Sequence, residues 1–113
     1  MPRDYRIYLE DILEATRKVR AYTNNLSKAA FLEDDKTFDA VVRNLEIIGE
    51  AAKSIPENVR AGAPGIEWKK IAGLRDILIH EYFGIDGEIV WDIAQHKLPD
   101  LETAVKQLLT DLT

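Results

Sequence analysis

DKTFDAVVRNLEIIGEAAKSIP, residues 35–56, carries apolar side chains at Phe38, Val41, Val42, Leu45, Ile48, Ala52 and Ile55. These positions step by three and four, the spacing that puts residues on one stripe of an α-helix. Asp34 or Asp35 supplies a capping carboxylate at its start, and Pro56 marks its end. Ile47 and Ala51 fall off the main stripe. A second apolar edge on one helix predicts two packing neighbours, or a partner chain.

The same period extends in both directions. Upstream, Tyr5, Tyr8, Leu9, Ile12, Leu13, Thr16 and Val19 predict a helix from about Asp4 to about Tyr22. Downstream, Trp68, Ile71, Leu74, Leu78 and Tyr82 predict a third, starting after Gly65 and ending near Phe83, before Gly84. Asp86 can cap a fourth helix that carries Ile89, Val90 and Ile93. Pro99 suits the first turn of a fifth, with Leu101, Val105, Leu108, Leu109 and Leu112 as its apolar face. The turn signals are Asn24-Asn25, the Pro56 region, Ala63-Pro64-Gly65 and Gly84, and none is long enough to be a domain linker. No segment alternates with the period of a strand. The expectation is one all-α domain over residues 1–113, a four- to five-helix antiparallel bundle.

Composition narrows the function classes. The chain has 113 residues, 46% of them hydrophobic, enough for one core. It has no cysteine, which excludes disulfides and thiolate metal sites. No apolar run approaches the roughly 20 residues of a membrane span, and the N-terminus lacks a signal-peptide core, so the chain reads as cytoplasmic. The net charge of -5 argues against a general nucleic-acid coat binder. The charge is uneven, however. Residues 1–31 carry six basic and four acidic groups, while residues 85–113 carry two and six. A polyanion would have to be held locally, by Arg17, Lys18 and Arg20 or by Lys69, Lys70 and Arg75.

Within the third helix stands RDILIHEY, residues 75–82. On a helix of about 100° per residue, Arg75 and Tyr82 point nearly the same way, two turns apart. Asp76 and His80 share a face, so the carboxylate can orient the imidazole. Arg75 and His80 lie about 140° apart around the axis and need either long side chains or a second copy of the helix to converge. Cleavage of RNA by its own 2′-hydroxyl needs a base, an acid and a cation for the charge that grows on phosphorus. An imidazole supplies the first two near neutral pH and a guanidinium the third, without a metal or cofactor. With one His per motif, a homodimer would supply the second. Spacing alone favours the plainer reading of surface charges beside a helix-terminal His.

The string resembles the signature of the HEPN superfamily: Arg, a polar residue, three more, then His. The Tyr two residues later resembles the HepT-like branch. NLEIIGEAAKSIP at 44–56, IEWKKIAGLRDILIHEYFGID at 66–86 and VWDIAQHKLPDL at 90–101 are similar to other segments of that family, covering nearly the whole chain. The resemblance implies a metal-independent RNA endonuclease toxin with Arg75 and His80 as catalytic pair, Asp76 in support, and Tyr82 shaping the RNA site. It also implies a partner, an MntA-like nucleotidyltransferase antitoxin, that silences the toxin by attaching AMP to Tyr82. Negative charge would then stand where RNA phosphate must bind. Lys69 and Lys70 are further RNA-binding candidates, expected with Arg75 in a narrow basic cleft doubled across a two-fold interface. No DNA or membrane partner is expected.

The remaining candidates weigh toward plain roles. His96 is read as a residue near a helix C-terminus. Trp68 and Trp91 are read as core or interface anchors. Tyr5 and Tyr8 are read as packing, and Tyr22 as a stacking candidate. Glu46 and Glu50 are read as a solvated face, with Glu50 beside Gly49 able to line a groove. A metal set of Asp76, His80, Glu81 and Asp86 is disfavoured in a chain with two His and no Cys. Two other functions compete with the nuclease: a non-catalytic, nucleotide-binding or docking partner of a nucleotidyltransferase, and a purely structural dimerising bundle.

Overall fold

The computed structural model describes residues 4–74 and 86–112. Their regular structure is entirely helical. The first helix, α1, spans Tyr5–Thr23. It is followed by α2 (Lys28–Glu33), α3 (Asp35–Lys53), α4 (Glu57–Arg60) and α5 (Trp68–Ala72). After residues 75–85 come α6 (Gly87–Asp92), a π-helical turn (Ile93–Lys97) and α7 (Leu98–Asp111).

Local chemistry sets the boundaries. The Asp4 carboxylate accepts from the Arg6 backbone N–H at 2.9 Å and starts α1. Asn25 takes the left-handed conformation, φ 69°, that turns the chain after α1. Asp34 starts α3 by accepting from both the Thr37 backbone N–H, at 3.0 Å, and the Thr37 hydroxyl, at 2.7 Å. Of the two caps foreseen for that helix, Asp34 is therefore the one used. Asp86 caps α6 as expected, accepting from the Glu88 N–H at 2.9 Å.

The core follows the sequence stripes. Leu9, Ile12 and Val19 of α1 meet Val41, Leu45 and Ile48 of α3, all fully buried. Leu98, Leu101 and Val105 of α7 close the layer beside α1, also without exposure. Each such side chain contributes about 1.5–3 kcal/mol of burial. Among the described residues α3 packs against α1, α2 and α5. Of its second edge, Ala51 is buried and Ile47 is half-buried.

Three expectations are corrected. The short helices α2 and α4 were not foreseen. Six and four residues are too few to display a period, although Ser27 caps α2 through the Ala30 N–H at 3.1 Å. Phe31, carried on α2, is fully buried. The expected fourth and fifth helices form one continuous helical run, because the π-helical turn joins them. Leu98 donates its N–H five residues back to the Ile93 carbonyl. Pro99 lacks an N–H, and its ring would crowd the Gln95 carbonyl in a regular α-helix; the wider π turn accommodates it. Ile89, placed on the apolar stripe, is 58% exposed, and Val90 takes the buried position. The third helix is seen only over α5 and Leu74, and its expected continuation to Phe83 lies outside the described residues.

Candidate functional site

The candidate residues Arg75, Asp76, His80 and Tyr82 lie outside the described residues. The described residues form the frame on either side of that segment. The entry is α5. Trp68 is buried and donates its indole Nε1–H to the Ala63 carbonyl at 3.1 Å, tying the start of α5 to the Ala63-Pro64-Gly65 turn. Ile71 and Leu74, three and six residues on, continue that stripe into the core. Leu74 is 7% exposed, and the next residue in sequence is Arg75.

The receiving end is Asp86 and α6. Val90 is buried, and the Trp91 ring lies 5.2 Å from the Phe31 ring at 40°. Trp68 and Trp91 are thus anchors, as read from the sequence. The Lys28 ammonium also pairs with Glu88 at 3.0 Å across the surface.

Lys69 and Lys70, both exposed, stand on α5. The Lys70 ammonium pairs with Glu67 at 2.9 Å. That hydrogen bond holds the Glu67 carboxyl below its ordinary range and pushes the lysine up. The positive field of Lys97 acts on Glu67 in the same direction. Lys69 makes no ion pair among the described residues.

A cleft of about 420 Å³ opens beside these groups, between α5 and the run from Ile93 to Leu101. Ile66, Ile71, Leu74, Ile93 and Leu101 supply its apolar wall. Lys70, Glu67, Lys97 and Asp100 stand around it. Lys97 was not singled out from the sequence. No local signal marks it, because it meets Glu67 only across the cleft that both residues line.

A second groove, about 350 Å³, runs between α1 and α3 and includes Tyr8, Asp11, Arg43, Glu46, Glu50 and Ser54. The reading that Glu50 lines a groove holds, with Gly49 buried beside it. Glu46 is more than a solvated carboxylate, since Arg43 pairs with it at 3.5 Å. Tyr5 and Tyr8 pack half-buried against the core, as expected, and Tyr22 is exposed.

His96 is corrected. It sits inside the π-helical turn rather than at a helix C-terminus, and its exposed Nδ1 lies 2.8 Å from Asp92 Oδ1. The helix dipole has no free end there to act on it. Of the metal set weighed above, Asp86 serves as a cap and the other three members lie outside the described residues. Among the described residues no three His, Asp or Glu side chains gather as a metal site. Nor is any described helix long and apolar enough to cross a membrane.

Comparison with known proteins places this frame in context. A family model described as "Ribonuclease HepT-like" matches residues 12–108. A Methanocaldococcus jannaschii protein bearing the name "Putative RNase MJ0127" is 44% identical over 113 residues, covering 99% of this chain and 93% of its own. The "Probable ribonuclease HepT" of Thermococcus cleftensis is 42% identical over 108 residues, covering 96% of this chain and 98% of its own. No solved structure matches the chain.

Proposed function

This chain belongs to the ribonuclease HepT-like family, and we propose that it is a metal-independent RNA endonuclease toxin whose chemistry is carried by Arg75 and His80. One observation carries the reading. The Arg75–Tyr82 motif lies inside the 97-residue stretch, 12–108, matched by the family model. Membership makes the chain a ribonuclease in class, and the motif supplies the groups that RNA cleavage without a metal requires.

His80 transfers protons, removing one from the 2′-hydroxyl or giving one to the departing 5′ oxygen. The 2′ oxygen attacks the adjacent phosphorus, the bond to the 5′ oxygen breaks, and a 2′,3′-cyclic phosphate remains. Arg75 clamps the phosphate while its charge grows. Asp76 orients the imidazole. A homodimer brings two copies of the motif to one groove and supplies both an acid and a base. Tyr82 is the acceptor for AMP delivered by an MntA-like nucleotidyltransferase antitoxin, and the added phosphate repels RNA from the groove.

The test is cleavage of single-stranded RNA by wild type, Arg75→Ala and His80→Ala, each checked for folding by circular dichroism. Wild type is expected to cut in the presence of a chelator and leave cyclic phosphate ends, with both variants reduced by about two to four orders of magnitude. A folded wild type that harms no cells on expression and cuts no RNA would favour a non-catalytic partner of the nucleotidyltransferase. Mass spectrometry after co-expression with the antitoxin tests Tyr82 as the site of AMP.

A further inference from the structure

We propose that the cleft between α5 and the π-helical turn is a nucleobase subsite for the RNA substrate, with Lys97 at its rim holding the neighbouring phosphate. The proposal rests on the ribonuclease reading and adds to it a place, outside the motif, where substrate is recognised.

Three observations support it. The first is chemical. The wall is aliphatic, formed by Ile66, Ile71, Leu74, Ile93 and Leu101, while the charged lining residues Glu67, Lys70, Lys97 and Asp100 are exposed. A nucleotide has the same division, an apolar base face on a charged backbone. The second is the charge balance. Lys70 and Lys97 are offset by Glu67 and Asp100, so the four ionic groups cancel. A neutral site is poor for a free polyphosphate, which needs net positive charge. It suits one unit of a polymer whose main anionic grip lies elsewhere, with the base supplying most of the contact. Glu67 is engaged by Lys70 at 2.9 Å, whereas Lys97 makes no ion pair within 4.0 Å among the described residues. Among the described residues that leaves the exposed Lys97 ammonium as the cation offered to a phosphate. The third is position. Leu74 lines the cleft and is followed directly in sequence by Arg75. Consecutive Cα atoms are about 3.8 Å apart, so a base seated against Leu74 is close to the point in the chain where the motif begins.

Gly65 provides a clean probe. It lines the cleft, a Cβ built on it meets nothing within 4 Å, and its φ is not positive. A bulky side chain there can narrow the mouth without displacing the core. Gly65→Trp and Lys97→Ala are to be compared with wild type on a mixed-sequence single-stranded RNA, measuring KM and kcat separately and the melting temperature of each. Both variants are expected to melt within a few degrees of wild type and to raise KM at least about five-fold, with a smaller change in kcat. A 4-thiouridine oligonucleotide bound to His80→Ala and irradiated is expected to crosslink within residues 66–74 or 93–101. Wild-type cleavage with unchanged KM in both variants and no crosslink in these segments would overturn the subsite and leave the ribonuclease reading standing. Binding and crosslinking without cleavage by wild type would support the subsite and sink the nuclease. Absence of RNA binding would overturn both. A change in oligomeric state in Gly65→Trp, with RNA binding intact, would make the cleft a protein interface and also overturn the subsite.

Discussion

The Thr16 hydroxyl is fully buried on α1 and has no hydrogen-bond partner among the described residues. Its position on the apolar stripe was legible from the sequence, but the missing partner was not, because a mid-helix threonine ordinarily returns its hydroxyl to the carbonyl four residues back. An orphaned hydroxyl costs about 1–3 kcal/mol, and valine keeps the shape without the polar atom. Thr16→Val is expected to stabilise the fold by about 1 kcal/mol, read as a rise in denaturant midpoint at unchanged m value. An unchanged or lower midpoint would mean that the hydroxyl finds a partner in solution. Trp68 shows the converse case. Its indole N–H is satisfied by Ala63 at 3.1 Å. Trp68→Phe removes that bond and part of the ring, and is expected to lose about 1–3 kcal/mol by the same measurement.

At the level of elements, side-chain caps set where α1 and α3 begin. The Asp34 carboxyl is held below its ordinary range, first by the Thr37 backbone N–H and then by the Thr37 hydroxyl. A carboxyl depressed in the folded state contributes stability that is present above its unfolded pKa and lost as pH falls through the folded value. Asp34→Asn retains an acceptor for the backbone but does not titrate. Its stability is therefore expected to change less than that of wild type between neutral and acid pH, and equal slopes in melting temperature against pH would refute this role. The continuity from α6 to α7 is a second effect at this scale. Pro99 was legible as a residue of a helix start, and it does occupy the first turn of α7. That the chain would cross it through a π turn was not legible. It depends on Val90 and Ala94 on one side and Leu98 and Leu101 on the other all reaching the same core.

For the whole molecule, 20 acidic against 15 basic residues leave an excess of negative charge that repels RNA at long range. Productive binding then rests on a few local contacts, in the proposed reading Arg75 and Lys97. Each neutralised phosphate of a single strand contributes about -0.7 to the log–log slope of affinity against salt. Two contacts give a slope of about -1.4 per protomer, far shallower than that of a basic nucleic-acid binder. A steep slope, about -5 or beyond, would show that basic groups outside the cleft and motif dominate. The salt dependence of KM measures this directly.

Helical class and the main core stripes could be read without coordinates, because the three-and-four spacing of apolar residues is a local property of the chain. The motif at residues 75–82, and with it family membership, is equally a matter of residue order. Tertiary packing alone decided that Ile89 faces outward, that α3 packs against α1, α2 and α5, and that Lys97 and Glu67 line one cleft. Each of these depends on residues far apart in sequence being brought together by burial. Such meetings leave no periodic trace in the order of the residues themselves.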